Sequence, residues 1–243
     1  MARVLFRDRE LTTIVFDVDG TLYRQGPLRR AMLLRLLTAH AGHPVKGWRT
    51  LSALRAYRRA QEQLRHDTSG DVATAQIRLT CEQTNIDRHS VVAYVDRWME
   101  QEPLPLLRKC IQPGLRQFLQ ACRASGLRLG ALSDYPADAK LAALGLADLF
   151  EVSLCAQARE IGAFKPNPRG LRIALERLAA NRLNSLYVGD RVDVDAAAAE
   201  AAGVPCAILS RAPRTSVTHL EFASFDELHR LILGNERLRG LVA

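Results

Sequence analysis

Two aspartates stand two positions apart, Asp17 and Asp19, after the apolar run from Leu11 to Phe16 and before Gly20-Thr21. The run reads as a buried strand that ends in a glycine turn. At the carboxyl end of a parallel strand, where open α/β sheets bind their ligands, residues i and i+2 of an extended chain face the same way, so both carboxylates address one ligand. Two acids aimed at one small volume repel each other unless a cation or a proton lies between them. A hard cation such as Mg²⁺, which takes oxygen ligands and keeps several waters, is the simplest answer to that geometry. The bland alternative is a strand followed by an ordinary Asp-Gly turn.

Three further groups have the same placement at the ends of strand-like runs. Ser133-Asp134-Tyr135-Pro136 follows Leu132, setting a hydroxyl beside the N–H groups of a turn that opens into a helix, which suits phosphate oxygens. Lys165 precedes Pro166-Asn167-Pro168, so the chain is held extended and the ammonium is restricted in position. Gly189-Asp190-Arg191-Val192-Asp193-Val194-Asp195 carries three acids in one short stretch, enough to complete a cation site. Taken singly, each also has a structural reading: a serine N-cap, a surface lysine, and an acidic helix start favoured by the helix dipole.

The elements that must bring these groups together alternate. After Gln112-Pro113-Gly114 come a helix near Leu115 to Ala124 and a strand over Leu127 to Leu132. A helix to about Leu144 precedes the strand Val152 to Cys155, and a helix over Asn167 to Ala180 precedes Ser185 to Val188. Ala196 to Ala202 then leads to Val204 to Leu209, and a last helix covers Phe225 to Leu233. Such alternation predicts an α/β fold, a doubly wound parallel sheet with helices on both faces. Between the first strand and the others lie four helix patterns, Leu28 to His40, Leu51 to Leu64, Val72 to Gln83 and Ser90 to Glu100. Breaks at Gly42-His43-Pro44, Asp67-Thr68-Ser69-Gly70 and Asn85-Ile86-Asp87 separate them, the last two offering N-cap chemistry. The helical block is therefore an insertion: residues 1–23 and 109–243 form the core domain, and residues 24–108 the inserted domain.

In order and placement these groups resemble the haloacid dehalogenase-like hydrolase superfamily over about Leu11 to Leu209. The signatures are DxDGT at Asp17 to Thr21, a strand-end serine at Ser133, the lysine before proline at Lys165, and GDxxxxD from Gly189 to Asp195. The helical insert is similar to the C1 cap of the phosphoglycolate phosphatase-like branch. The resemblance implies a Rossmann-like core and a Mg²⁺-dependent phosphatase acting on a small phosphorylated metabolite. It implies that Asp17 attacks phosphorus to form an aspartyl-phosphate, that Asp19 is acid and then base, and that Ser133 and Lys165 hold phosphoryl oxygens. Mg²⁺ would rest on Asp17, the backbone carbonyl of Asp19 and Asp190, with Asp195 or Asp193 in support. Thr21, Arg24 and Asp134 are candidates for touching substrate, and Trp48, Arg49 and Arg65 near ends of the inserted helices are others. Arg24, Asp134 and Arg191 depart from the family's common residues, without removing a catalytic group. Asp19 argues against a metal-free dehalogenase. A phosphomutase on the same fold and a non-catalytic phosphate-binding or regulatory module remain the alternatives.

Composition sets bounds on these readings. The chain has 243 residues, 48% of them hydrophobic, enough for a large buried core without disulfides. Five cysteines, Cys81, Cys110, Cys122, Cys155 and Cys206, are spread without a CxxC pair and read as mostly buried, reduced thiols, as in a cytoplasmic protein. The charged N-terminus does not fit a signal sequence, and no stretch approaches the ~20 apolar residues of a membrane span. Net charge is +8, and 30 of the 34 basic residues are arginine. Residues 24–108 hold 14 Lys or Arg against 8 Asp or Glu, which would draw an anionic substrate toward the inserted block. No nucleic-acid partner is expected, because no zinc knuckle or aromatic-interleaved basic run accompanies the charge. The sequence leaves oligomeric state undetermined.

Overall fold

A computed structural model describes residues 4–6, 9–67, 70–213, 215–216 and 218–234. A short antiparallel hairpin, β1 (Leu5–Phe6) and β2 (Arg9–Glu10), leads into β3 (Thr13–Phe16), all four residues of which are buried. The helical block follows as α1 (Gln25–Ala39), α2 (Pro44–Gln63), a 3₁₀ turn at Leu64–His66, α3 (Val72–Thr84) and α4 (Arg88–Val95), which runs on through a π-helical turn, Asp96–Gln101. It closes with α5 (Leu104–Cys110). The chain continues through α6 (Leu115–Ala124), β4 (Arg128–Ser133), α7 (Asp138–Leu144), β5 (Val152–Cys155), α8 (Arg169–Arg177) and β6 (Ser185–Gly189). After a π-helical turn at Val192–Ala196 come α9 (Ala197–Ala202), β7 (Cys206–Leu209), β8 (Leu220–Phe222) and α10 (Phe225–Leu233).

The main sheet has six parallel strands in the order β5-β4-β3-β6-β7-β8. β3 lies at its centre, with Phe16 level with Ala131 of β4 on one side and Val188 of β6 on the other. The strand order reverses there, and the crevice beyond the carboxyl ends of the strands at such a switch point is where ligands bind. Alternate side chains feed two cores. Ile14, Phe16, Leu186 and Val188 pack with Phe118, Phe222 and Phe225 on one face, and Val15 and Tyr187 pack with Leu132, Leu171 and Ile208 on the other. Burial on both faces is what lets the strands read as continuous apolar runs. In α6, Leu115, Phe118, Leu119 and Cys122 form a single buried stripe at helical spacing.

Side-chain caps account for several helix starts: Asp71 accepts the N–H of Thr74, Asp87 that of Ser90, and Ser224 that of Glu227. Thr68 and Ser69 of the second expected break lie outside the described residues. Asn85 ends α3 in the left-handed conformation. The block keeps a small core of its own around Ala53, Tyr57, Ile86, Val91 and Val95. Its entering and leaving segments run side by side, with Arg24 N–H on the Cys110 carbonyl at 2.8 Å and Gln112 N–H on the Leu22 carbonyl at 3.0 Å.

Several elements differ from the sequence reading. α2 begins at Pro44, so Trp48 and Arg49 stand in its opening turns and not in a loop. α5 has no counterpart in the expected pattern, and its Pro105 is tolerated because first-turn N–H groups lack helical acceptors anyway. β8 likewise has no counterpart there. The five cysteines are free, three of them buried and Cys81 and Cys155 half-buried.

Candidate active site

Asp17 follows β3 directly, and its N–H bonds the Val188 carbonyl at 2.8 Å, so the central strand's register fixes the backbone of the first carboxylate. The side chain is nearly inaccessible. Its Oδ2 accepts the Thr21 hydroxyl at 2.9 Å and its Oδ1 accepts Lys165 Nζ at 2.6 Å. Burial, opposed by Lys165 and reinforced by Asp195, Asp190 and Asp19, raises the Asp17 pKa well above the usual carboxylate range.

Lys165 bridges two acids. Nζ lies 2.7 Å from Asp195 Oδ1 and 3.3 Å from the Tyr187 hydroxyl, and although burial works against the charge, Asp17 and Asp195 raise its pKa. Asp195 Oδ2 accepts the N–H groups of Asp190 at 3.2 Å and Arg191 at 3.1 Å, so the loop after β6 is wrapped around this carboxylate. One carboxylate oxygen each from Asp17, Asp190 and Asp195 lies within 4.8 Å of the others, a set fit to hold a cation. Burial and Asp195 push the Asp190 pKa up to about 6, against the opposing charges of Lys165 and Arg191.

Two glycines leave room for this cluster. A Cβ on Gly20, whose φ is +112°, would stand 2.1 Å from Asp190 Oδ2, and one on Gly189 would stand 2.4 Å from Asp195 Cβ. The oxygen-only donor set and the space kept open by these glycines fit a hard divalent cation. Of the acids left open by the sequence, Asp195 belongs to the cluster. Asp193 does not: it is exposed and paired with Arg191 at 2.6 Å.

Asp19 points elsewhere. Its two oxygens accept Lys140 Nζ at 2.7 and 2.8 Å, Oδ1 accepts the Tyr23 hydroxyl, and the Ser133 hydroxyl lies 3.3 Å from Oδ2. Against the opposing effect of burial, Lys140 and the Tyr23 hydrogen bond lower the Asp19 pKa. The Asp19 carbonyl, which the resemblance sets toward a cation, accepts Gln25 Nε2 at 2.5 Å. Ser133 Oγ also accepts the Tyr135 N–H at 3.2 Å, which ties the turn after β4 to the site.

A cavity of about 620 Å³ opens above these groups, between the strand ends and the helical block. Arg29 and Arg58 reach it from α1 and α2, and burial together with the neighbouring Arg58 lowers the Arg29 pKa. Leu28, Leu36, Leu54, Trp98 and Leu107 form part of its apolar wall.

The structure gathers Asp17, Asp19, Ser133, Lys165, Asp190 and Asp195 at one end of the sheet. Other sequence candidates are placed differently from expectation. Arg24, the residue just before α1, is exposed and does not line the cavity. Thr21 is buried and orients Asp17. Trp48 is 66% exposed and, like Arg49, lies away from the cavity at the far end of α2. Asp134 lines the cavity, yet its carboxylate is occupied by Gln61 at 2.8 Å, Arg65 at 3.0 Å and the Lys165 N–H at 3.2 Å.

Tyr23, Gln25, Arg29, Arg58 and Lys140 reach the site without belonging to any motif visible in the sequence. Lys140 carries one signal: it is one of only four lysines in a chain otherwise using arginine, and both it and Lys165 are buried at the site.

A family model described as haloacid dehalogenase-like hydrolase matches residues 11–203. This chain belongs to the haloacid dehalogenase-like hydrolase family. It is 29% identical over 228 residues to a phosphoglycolate phosphatase of Cereibacter sphaeroides, covering 90% of this chain and 96% of the relative. A glyceraldehyde 3-phosphate phosphatase of Methanopyrus kandleri is 31% identical over 80% of this chain and 82% of its own length. Among solved structures, a HAD phosphatase from Thermococcus onnurineus shares the fold with a TM-score of 0.61 and 23% identity, over 94% of this chain and 100% of that one.

Proposed function

We propose that the protein is a Mg²⁺-dependent phosphatase that hydrolyses a small phosphomonoester through an aspartyl-phosphate on Asp17. The observation that carries this reading is the joint placement of Asp17, Lys165, Asp190 and Asp195 beneath an open cavity, with Asp19 two residues beyond the nucleophile. A hydrolase of this family with phosphatases among its full-length relatives supports it.

Asp17, Asp190 and Asp195 would hold the cation, which when bound supplies positive charge to the phosphoryl oxygens. The chain's own residues do the rest. Thr21 fixes the Asp17 carboxylate, and Lys165 reduces its repulsion from an incoming dianion. An Asp17 oxygen bonds phosphorus as the bond to the leaving oxygen breaks, and a proton from Asp19 neutralises that oxygen. Asp19 then takes a proton from water as the water oxygen attacks phosphorus, freeing inorganic phosphate and restoring Asp17. Ser133 and Lys165 hold the transferring group in place, which is most of what phosphoryl transfer needs from a protein.

The helical block, residues 24–108, acts as a cap that closes over the site and removes water. Arg29 and Arg58 supply cations for a second anionic group, which matches the carboxylate of phosphoglycolate, the substrate in the name of the Cereibacter relative. A phosphomutase would use the same residues, and release of inorganic phosphate separates the two. The absence of a membrane-length apolar helix among the described residues is compatible with a cytoplasmic enzyme.

The test is hydrolysis of p-nitrophenyl phosphate by wild type and Asp17→Asn, with Mg²⁺ and with excess chelator. Turnover that needs the metal and disappears in the variant supports the reading, and a panel including phosphoglycolate and glyceraldehyde 3-phosphate follows. A folded, metal-loaded wild type that releases no phosphate from any of these would remove it.

A further inference from the structure

We propose that Arg65, from the helical block, is a positioning residue that sets the place of Lys165 by clamping its peptide from both sides with Asp134. The proposal rests on the phosphatase reading for the role of Lys165. It goes beyond that reading in making the phosphate-holding lysine depend on the inserted block.

Arg65 stands in the 3₁₀ turn that ends α2, and its side chain is 8% exposed. One terminal nitrogen donates both to the Lys165 carbonyl at 2.6 Å and to Asp134 Oδ2 at 3.0 Å. The other carboxylate oxygen of Asp134 accepts the Lys165 N–H at 3.2 Å. The N–H and C=O of Lys165 are thus both engaged, one by a carboxylate and the other by a guanidinium, and these two partners are bonded to each other. Pro166 offers no N–H of its own, so the chain directly beyond Lys165 has one fewer way to anchor itself.

The guanidinium is held in turn. Its Nε and remaining terminal nitrogen grip the two oxygens of Glu62 at 2.6 and 2.8 Å, one helical turn earlier, and Glu62 accepts Arg191 of the loop after β6 at 2.9 Å. Gln61 Nε2 adds a second hydrogen bond to Asp134 Oδ2 at 2.8 Å. The planar fork of arginine suits this: five N–H groups in fixed directions meet a carboxylate on one edge and a carbonyl with a carboxylate on the other. The core partners flank the chemistry, with Asp134 following Ser133 and Arg191 following Asp190. A shift of the end of α2 therefore reaches the peptide that carries Lys165, whose ammonium bridges Asp17 and Asp195.

The charges make the arrangement testable. Removing Arg65 leaves the buried Asp134 carboxylate with neutral partners only, beside the place where phosphate binds, and a further Asp134→Asn change removes that charge. Wild type, Arg65→Ala, Arg65→Lys, Asp134→Asn and the Arg65→Ala/Asp134→Asn double variant are compared. Three measurements are made at saturating Mg²⁺: kcat/KM on p-nitrophenyl phosphate, affinity for inorganic phosphate by calorimetry, and thermal midpoint.

We expect Arg65→Ala to lower both kcat/KM and phosphate affinity by about tenfold or more, the scale of a lost charged hydrogen bond. Arg65→Lys should recover part of the loss, because an ammonium meets the two acceptors but not the Glu62 fork. The double variant should exceed Arg65→Ala in phosphate affinity at a matched or lower thermal midpoint, which a purely structural role would not produce. Arg65→Ala within about twofold of wild type in both readouts, or a double variant no better than the single, overturns the proposal. Where Arg65→Ala does not fold, Arg65→Lys against wild type decides it by the same measurements. A folded wild type that turns over no phosphomonoester removes the phosphatase reading, and the phosphate affinities then decide the clamp by themselves.

Discussion

Lys140 Nζ sits 2.7 and 2.8 Å from the two carboxylate oxygens of Asp19, and the lysine side chain is only 9% exposed. A single buried cation from α7 therefore faces the residue assigned the proton transfers, and it favours the ionised carboxylate. Replacing it with methionine keeps the length and removes the charge, leaving burial as the dominant influence on Asp19. Because Asp19 must carry its proton to act as the acid in the first step, the alkaline limb of the kcat/KM profile on an alkyl phosphomonoester should then move to higher pH in Lys140→Met. A limb that stays where wild type has it would show that Lys140 does not govern that titration.

Arg29 and Arg58 line the cavity without a carboxylate partner among the described residues. If they receive a second anionic group, Arg29→Ala and Arg58→Ala each raise KM for phosphoglycolate by about tenfold, the scale of one charged hydrogen bond. KM for p-nitrophenyl phosphate, which has no carboxylate, should change far less. Equal changes on both substrates would place the arginines on the phosphoryl group itself.

Gly20 combines a φ of +112° with a close approach to Asp190, so that a methyl group at this position would fall 2.1 Å from Oδ2. Gly20→Ala should weaken Mg²⁺ binding, because Asp190 must move, and should destabilise the fold by more than about 1 kcal/mol, because alanine is strained at that φ. Isothermal titration with Mg²⁺ and the thermal midpoint read the two effects separately. Wild-type Mg²⁺ affinity in the variant would exclude Asp190 from the cation site.

Glu62 is held down at a pKa of about 2 by its hydrogen bonds to Arg65 and Arg191. A carboxylate depressed in the folded state contributes stability above its unfolded pKa, roughly 4.3 for glutamate, and loses it as pH falls toward the folded value. The thermal midpoint of wild type should exceed that of Glu62→Gln by a constant margin between about pH 8 and 5, and the margin should shrink below about pH 4. Glu62 is half exposed, so the margin is expected to be small. A margin independent of pH would show that the ionised form is not what the two arginines stabilise.

The alternation of strands and helices, the helical block between β3 and β4, and the polar residues at or just beyond the ends of β3, β4 and β6 are all legible in the residues alone. Those features are local: an apolar run, a glycine turn and a charged strand end are each written in a few consecutive positions. Strand order is not local. That β3 lies between β4 and β6, bringing Asp17, Ser133 and Asp190 to one switch point, follows from pairing between segments more than a hundred residues apart. The partners of the charges belong to the same category. Arg24 is close in sequence to the Asp17–Asp19 turn yet faces solvent, whereas Arg65 and Lys140, 46 and 121 positions from Asp19, reach the site. A side chain's direction depends on the rotation of the helix that carries it and on how that helix packs. Those quantities are set by long-range packing, and it is this packing that turned Arg29 and Arg58 toward the cavity, paired Asp134 across to the helical block, and brought Asp195 rather than Asp193 inward.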